Sequence, residues 1–395
     1  MSPQSRGDDR AATHTLGSVT DLLRFLAVVG GAACVLLILA DAIGTLIVTR
    51  ARTARWRPTR LWYATTWRCT RIAAARLPSS GGDFVLNVYP ALSLLGLLLI
   101  WLAGLMVGWA CVYWGLSERV AGQGDWVSLA YYSGTSLLSP AFGVASGQGV
   151  RFLSLVETLS GLGTIALLIS YLPALYGAYS RREARLLTLD DPIGGRLTPL
   201  RVIAVHVSDG SLELFNRFCA DWEIWTAEVL ESHSSYPMLT LFRSQHPGQS
   251  WITALGVVTD AATLACASII GSEVREPYFL YRRGRRAVGD IAAALNLPEE
   301  PADTSSLSRE NVDVAWDGLN ELGLDLRDKD ETWRRLQELR APYGNQLQQL
   351  IDYTLAPHGF WGHSAEATVV QEVARATAEA RFRARRRRNR VSLPS

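Results

Sequence analysis

The 395-residue sequence contains little lysine, no cysteine pairs and, over its first half, few charges of either sign. Lys329 is the only lysine among 39 basic residues, a bias that we attribute to genome base composition. The five cysteines show no paired spacing, so neither a disulfide framework nor a zinc ribbon is indicated. The sequence has no phosphate-binding loop, nucleophile elbow or Rossmann turn. We therefore expect a protein that is not an enzyme and that needs no cofactor.

Charge is spread unevenly along the chain. Residues 1–180 hold 13 arginines and 8 acidic residues, about 12% of their positions. Residues 181–395 hold 26 basic and 29 acidic residues, about 26% of their positions. The first half has the composition of a membrane module and the second that of a cytosolic domain. A purely soluble enzyme and a disordered chain are both excluded.

Three apolar runs are long enough to cross a bilayer, which takes about 20 residues. They cover residues 25–49, 85–116 and 158–180, and Asp41 is the only charge within them. A cleaved signal peptide is the competing explanation of the first run, but the run exceeds the apolar region of such peptides. We predict an all-α integral membrane protein with three transmembrane helices and a re-entrant pore loop, followed by a helical cytoplasmic domain.

The pore loop is predicted from residues 126–150, where Ser, Thr, Gly and Pro140 interrupt the apolar sequence. Proline breaks a helix, and irregular backbone at membrane depth is tolerated only inside protein or beside water. The sequence therefore predicts a half-helix from about Trp126 to Leu138 that enters the bilayer and returns as an extended strand.

The sidedness follows from the eight arginines between Asp41 and Asp83, a segment with no acidic residue. By the positive-inside rule this segment is cytoplasmic. We expect a multi-pass protein of the plasma membrane with its N-terminus outside and its C-terminal domain in the cytoplasm. The predicted parts are an N-terminal tail (1–20), a first transmembrane helix (21–50), a basic cytoplasmic loop (51–84), a pore module (85–180) with its pore loop (126–145), a linker (181–199), a helical cytoplasmic domain (200–380) and an Arg-rich tail (381–395).

The segment 131-YYSGTSLLSPAFGV-144 resembles the pore helix and filter of potassium channels. The segments 41–68, 90–110 and 169–183 are similar in order and spacing to a bacterial group of ion channels, and the resemblance extends to about residue 300. It implies a homotetramer that passes monovalent cations, potassium foremost, through a filter of backbone carbonyls. The positions so implied are Ser139, Pro140, Ala141, Phe142 and Gly143 for the selectivity filter, and Ser133, Gly134, Thr135 and Val144 for the pore helix and mouth.

The filter departs from the family pattern Thr-x-Gly-Tyr/Phe-Gly-Asp at three positions. Pro140 lacks the N–H that would hold the strand, Ala141 replaces a glycine, and Val144 replaces the carboxylate at the mouth. Two hypotheses follow. One is a cation pore with altered selectivity, and the other is a non-conducting sensor or scaffold whose cytoplasmic domain binds a partner.

The third transmembrane segment contains Gly161, Gly163 and Pro173. The resemblance implies that such positions act as bends or gates, and close helix packing explains the two glycines equally well. Glu157, at the start of this segment, is expected to pair with Arg151 or with hydroxyls of the pore helix rather than to bind an ion.

Asp41 lies inside the first transmembrane segment, where a carboxylate costs about 2.5–3.5 kcal/mol. It is a candidate for gating or proton sensing. Pairing with the arginines of the basic loop, or reaching the membrane interface, is the alternative that we favour.

The second half is predicted to be mostly helical, with Ser208, Ser250 and Ser308 as helix caps. Residues 201–207 fit a strand or a helix, and the apolar run 251–270 fits a buried helix better than a fourth crossing because it contains Asp260. His233, His246, Glu228 and Glu231 match no zinc pattern and are interpreted as structural. The predicted helices are 210–232, 250–271, 285–296, 309–323, 330–355 and 366–388.

The chain ends in 381-RFRARRRRNR-390, whereas residues 181–380 carry a net charge of −10. Nucleic acid, the acidic body of the same protein and anionic lipid headgroups are the possible partners of such a run. Because the chain is tethered to a membrane, we expect anionic lipids and no nucleic acid. The candidate lipid-binding residues are Arg385, Arg386, Arg387 and Arg388.

Overall fold

The computed structural model describes residues 5–47, 58–116, 125–139, 148–193, 198–207, 210–244, 250–271, 274–298 and 307–357. These residues form helices and no β-strand, apart from an isolated antiparallel bridge between Ile269 and Leu326. The all-α prediction is therefore confirmed. The helices are α1 (Ser5–Leu46), α2 (Pro58–Arg76), α3 (Ser79–Gly115), α4 (Trp126–Leu138), α5 (Gln148–Ile193), α6 (Pro199–His206), α7 (Glu213–Ser235), α8 (Trp251–Ser268), α9 (Arg275–Ala294), α10 (Arg309–Glu321), α11 (Lys329–Arg340) and α12 (Gly344–Thr354), with a 3₁₀ turn at Pro237–Leu241.

The chain divides into two compact units, unit 1 (Met1–Ala174) and unit 2 (Leu175–Ser395), and the division falls inside α5. Among the described residues of unit 1 and the start of unit 2, three helical stretches are long and apolar enough to cross a membrane: Val19–Leu46, Ser80–Gly115 and Gln148–Leu189. They contain the three runs predicted as crossings, apart from the few residues that lie beyond a helix end. Their length and hydropathy indicate a membrane protein.

Helices α1 and α3 pack with their backbones in close contact because glycines line the seam. A Cβ at Gly31 would lie 2.5 Å from the carbonyl oxygen of Gly108, and a Cβ at Gly108 would lie 2.8 Å from Val35 Cγ2. Gly104 faces Ile38 in the same way. Small residues at this spacing allow helices in a membrane to approach closely.

Part of the basic segment 51–84 is a helix rather than a loop, because α2 covers Pro58–Arg76. The proline at its first position suits a helix start, where the missing N–H has no partner to lose. The aromatic residues of α2 hold it to α3. The rings of Trp67 and Tyr89 are tilted to each other with centroids 5.1 Å apart, and the indole of Trp62 donates a 2.9 Å hydrogen bond to the carbonyl of Ser93.

The segment predicted as a linker, 181–199, differs from expectation over its first part, because α5 continues to Ile193. Residues 181–189 (RREARLLTL) are mostly good helix formers, and the turn-forming Pro192, Gly194 and Gly195 come only after them. Leu186 and Leu189 pack into the hydrophobic core of unit 2. The last turns of α5 thus belong to the folded core of that unit.

Unit 2 is built around α8, whose residues are buried except for Thr253. Five other helices of the unit, α6, α7, α9, α11 and α12, pack around it. The helix is apolar enough to be a fourth candidate span, but protein encloses it, which supports the prediction of a buried helix.

The other helices of unit 2 follow the sequence predictions with two differences. Ser250 and Ser308 cap α8 and α10 as predicted, and 201–207 falls largely in α6. Helix α9 starts about ten residues before the predicted 285, and 330–355 is two helices with a break after Arg340. Ser208 and the predicted helix 366–388 lie outside the described residues.

Candidate functional site

The segment predicted as a half-helix forms α4, with the bounds Trp126–Leu138 that the sequence indicated. Asp125 caps its first turn by accepting a 3.2 Å hydrogen bond from the backbone N–H of Ser128. Hydrogen bonds from Ser128 also hold the pKa of the Asp125 carboxyl below its ordinary value. The helix ends at Ser139, whose backbone is extended, as expected for a residue that precedes a proline.

The segment predicted as a filter, residues 139–143, is described only at Ser139. Ser139 is exposed, and its N–H donates a 3.0 Å hydrogen bond to the carbonyl of Thr135. Pro140, Ala141, Phe142, Gly143 and Val144 lie outside the described residues. The structure therefore defines the helix that leads into this segment, and the predicted roles of the five residues stay predictions.

A stripe of four residues on α5 contacts the C-terminal half of α4. Thr158 Oγ1 donates a 2.6 Å hydrogen bond to the carbonyl of Ser136, and Ser154 Oγ lies 3.5 Å from Ser136 Oγ. The carbonyl of Ser136 is among the last four of α4, which have no partner within the helix. Thr158 thus supplies a donor that the pore helix lacks. We call Ser154, Glu157, Thr158 and Gly161 the α5 stripe.

Glu157 is the centre of this stripe and joins three helices. Its side chain is fully buried, with Oε1 2.5 Å from Ser133 Oγ on α4 and Oε2 2.7 Å from Tyr113 Oη on α3. Ser133 Oγ also lies 3.0 Å from the carbonyl oxygen of Met106. Of the two partners expected from the sequence, the structure shows a pore-helix hydroxyl, joined by a tyrosine that the sequence did not indicate.

The two glycines proposed as gating positions have different surroundings. A Cβ built on Gly161 would collide with the carbonyl oxygen of Leu137, so this glycine is needed for the close approach of α5 to α4. Among the residues that the structure describes, none has an atom within 4 Å of the Cβ position of Gly163. Close packing therefore accounts for Gly161 and not for Gly163. Pro173 lies within α5, where proline removes a helical hydrogen bond.

The other two residues predicted for the pore helix, Gly134 and Thr135, also differ in their surroundings. Gly134 faces α3, where a Cβ would lie 3.2 Å from Met106 Sδ. Thr135 is exposed, and its hydroxyl donates to the carbonyl of Tyr132 in its own helix at 2.8 Å. Ser133 and Gly134 thus pack against neighbouring helices of unit 1, whereas Thr135 faces outward.

Asp41 fixes the start of α2 rather than pairing with a described arginine. Its Oδ2 accepts hydrogen bonds from Thr59 N (3.1 Å), Thr59 Oγ1 (2.5 Å) and the indole N–H of Trp101 (2.9 Å). Thr59 is the second residue of α2, where a backbone N–H lacks a helical partner and a carboxylate is favoured. Oδ1 is buried and has no hydrogen-bond partner among the described residues. The expected pairing with loop arginines is replaced by this cap.

Arg182, near the C-terminal end of α5, is buried in unit 2 with 3% of its surface exposed. Its guanidinium donates to the carbonyls of Leu239 (3.1 Å) and Phe242 (2.8 Å) and forms a 2.8 Å ion pair with Glu183. It also lies 5.1 Å from the ring centroid of Trp251. The cluster holds the end of α5 in place within unit 2.

His233 belongs to the same cluster and is structural. Its Nε2 lies 3.3 Å from Arg182 Nη1, which is always a donor, so Nε2 accepts and Nδ1–H donates to the carbonyl of Val229 at 2.8 Å. Burial, together with the charge of Arg182, holds the pKa of His233 well below its usual value. Both ring nitrogens are thus occupied. His246, the other histidine considered for a metal, lies outside the described residues, as do Arg385, Arg386, Arg387 and Arg388.

No protein-family model, curated protein or solved structure matches this chain. The site must therefore be interpreted from its own geometry. Its most informative feature, the α5 stripe, was missed as a unit in the sequence. The signal was present, because residues 154, 157, 158 and 161 recur at helical spacing as small or polar positions in an apolar segment.

Proposed function

We propose that this protein is a potassium-channel-like membrane protein that passes monovalent cations, potassium foremost, through a homotetrameric pore with an altered selectivity filter. The observation that carries the proposal is the position of α4. This 13-residue helix is too short to cross a bilayer, yet it packs between two spanning-length helices, α3 and α5. Its C-terminal end leads directly into the segment that resembles a filter.

The buried contacts of α4 support the same proposal. A short helix in a membrane needs its end carbonyls satisfied, and Thr158 does this for Ser136. Glu157 and Gly161 fix the distance of α4 from its neighbours. Such a rigid support is what a filter of backbone carbonyls requires, because ion coordination depends on their positions. One chain supplies a quarter of such a filter, hence the homotetramer.

The remaining parts of the proposal follow from the sequence. The pore loop enters from outside the plasma membrane, the N-terminus is outside, and unit 2 is cytoplasmic. The Arg-rich tail binds anionic lipid headgroups rather than nucleic acid. The protein catalyses no reaction. Gly163 and Pro173 are the positions on α5 proposed to bend during gating.

The alternative function is a non-conducting channel-like sensor or scaffold. It is favoured by Pro140, Ala141 and Val144, which together remove a strand N–H, a glycine and the mouth carboxylate of the filter pattern. In this alternative the supports of α4 persist as scaffold, and unit 2 binds a partner.

Flux measurements on the full chain in liposomes separate the two functions. We expect cation flux with less than about tenfold preference for potassium over sodium. The triple substitution Pro140→Val, Ala141→Gly, Val144→Asp should raise that preference above tenfold. Each single substitution and protein-free liposomes serve as controls. Absence of flux at every membrane potential and under stretch, in both proteins, would exclude the channel and leave the scaffold.

A further inference from the structure

Helix α9 in unit 2 presents a basic and aromatic face to solvent. Arg275, Tyr278, Phe279, Arg282 and Arg285 are three or four residues apart, so they fall on one side of the helix. We call these five residues the α9 stripe. All five are exposed to solvent. The opposite side of α9 is buried in the core of unit 2.

The aromatic and basic side chains of the stripe are interleaved. The guanidinium of Arg275 lies 5.6 Å from the ring centroid of Phe279, and that of Arg282 lies 6.0 Å from the ring centroid of Tyr278. Tyr278 is 46% exposed and Phe279 is 44% exposed. Large apolar rings are therefore held at the surface with a cation over each.

The arginines of the stripe differ in pairing from their neighbours on the same helix. Arg283 forms a 2.8 Å ion pair with Glu223, and Arg286 lies 3.5 Å from Asp290. Within the described part of the chain, Arg275, Arg282 and Arg285 have no carboxylate at ion-pair distance. Three positive charges on this face thus lack an acidic partner in the described ranges, although residues 181–380 carry a net charge of −10.

We propose that the α9 stripe is a docking surface for the anionic headgroups of a lipid bilayer. The same chain contains spanning-length apolar helices, so a bilayer is always within reach of unit 2. Arginine beside tyrosine or phenylalanine suits the membrane interface, where rings enter the headgroup region and cations meet phosphate. Electrostatic attraction to a flat surface requires no shape-specific pocket. The inference stands whether or not the protein conducts.

Photocrosslinking of the full chain in nanodiscs tests this proposal. Phe279 is replaced by a photoreactive benzoylphenylalanine, and adducts are identified by mass spectrometry in discs of phosphatidylcholine with or without phosphatidylglycerol. We expect lipid adducts at residue 279, at least about fivefold more in the anionic discs, since each basic residue near the surface contributes a factor of that size. Arg275→Gln, Arg282→Gln and Arg285→Gln together should abolish this excess.

Three controls keep the result specific. The probe at Leu214, which is 40% exposed and beside Glu213, should show no dependence on anionic lipid. The three arginines changed to lysine keep their charge and should keep the excess, which separates lost charge from misfolding. Removal of residues 381–395 should leave the adduct at 279 unchanged. Crosslinks between two protein chains, adducts equal in both kinds of disc, or no adduct at 279 would each overturn the proposal.

Discussion

In unit 1 the buried carboxylates of Asp41 and Glu157 lie against neutral donors, whereas in unit 2 the buried carboxylate of Asp260 meets a guanidinium. Thr59 and Trp101 donate to Asp41, and hydroxyls contact Glu157. Asp260 Oδ1, by contrast, accepts from Arg340 Nε at 3.1 Å and from Tyr343 Oη at 2.6 Å. The two units thus stabilise buried acidic groups in different ways.

This difference indicates that the carboxylates have different structural roles. A carboxyl surrounded by hydroxyls and an indole remains hydrogen-bonded if it is neutral, because hydroxyls can donate or accept. It therefore serves to hold helices together where charge is expensive. A carboxylate paired with a buried guanidinium balances its charge, and replacing that carboxylate removes an ion pair from the core. Asp260 consequently stabilises the core of unit 2, whereas Glu157 positions α4.

The first prediction, which has the largest expected effect on stability, compares substitutions of Asp260 and Glu157. Asp260→Asn should destabilise unit 2 by about 3–5 kcal/mol, because Arg340 loses its ion pair with Asp260 inside the core. Glu157→Gln should cost about 1 kcal/mol or less, because the amide still bonds both hydroxyls. Native-state amide exchange of α8 and α4 in the full chain measures the two free energies.

Two further variants test the reason for this contrast. Asp290→Asn, which disrupts the exposed pair with Arg286, should cost less than about 1 kcal/mol. Adding Arg340→Met to Asp260→Asn should restore much of the lost stability, since the buried cation is removed. Equal costs for Asp260→Asn and Glu157→Gln would remove the distinction between the units.

The second prediction concerns packing within unit 1. Gly161→Ala should destabilise the contact of α4 with α5 by about 1–3 kcal/mol, because the new methyl group meets the carbonyl of Leu137. Gly163→Ala should instead stabilise α5 by about 0.5–1 kcal/mol, because its Cβ position is open within the chain. Thermal unfolding of the detergent-solubilised protein compares this matched pair. A destabilising Gly163→Ala would place another subunit against that position.

The third and smallest prediction concerns pH and the cluster around Arg182 in unit 2. His233 has a depressed pKa in the folded protein, so the unfolded chain takes up its proton first as the pH falls. Neutral His233 contributes fully to the free energy of unfolding above the ordinary histidine pKa of about 6.5. Below that pH the free energy of unfolding falls by about 1 kcal/mol per pH unit. The midpoint of unfolding should be lower at mildly acidic pH than at neutral pH in the parent protein, and this difference should be smaller in His233→Gln. Equal divergence in both would contradict the assignment.

Local sequence signals predicted much of the helical structure. The C-terminal bound of α4 follows from Pro140, which acts on the residue before it. Ser250 and Ser308 capped their helices as expected. The signals failed where tertiary contacts override them: α9 begins at Arg275 because its apolar positions pack into the core, although its sequence is rich in charge.

The candidate site was predicted only in part, because its partners lie far apart in the sequence. Glu157 was expected to meet a hydroxyl of α4, but nothing local indicated Tyr113, which is 44 residues away. Asp41 was expected to pair with arginine, and its bond to Thr59 became possible only because α2 starts there. The filter substitutions at positions 140, 141 and 144 remain sequence observations.

The sequence alone determined that this chain is all-α, apolar over its first half and interrupted there by one short segment with several serines, because composition, periodicity and capping act over a few residues. Only the tertiary structure decided that Gly161 packs while Gly163 does not, that Asp41 caps α2, and that three arginines of α9 lack a described acidic partner. Those outcomes depend on which helices meet and at what distance, and burial and hydrogen bonding between distant residues set both.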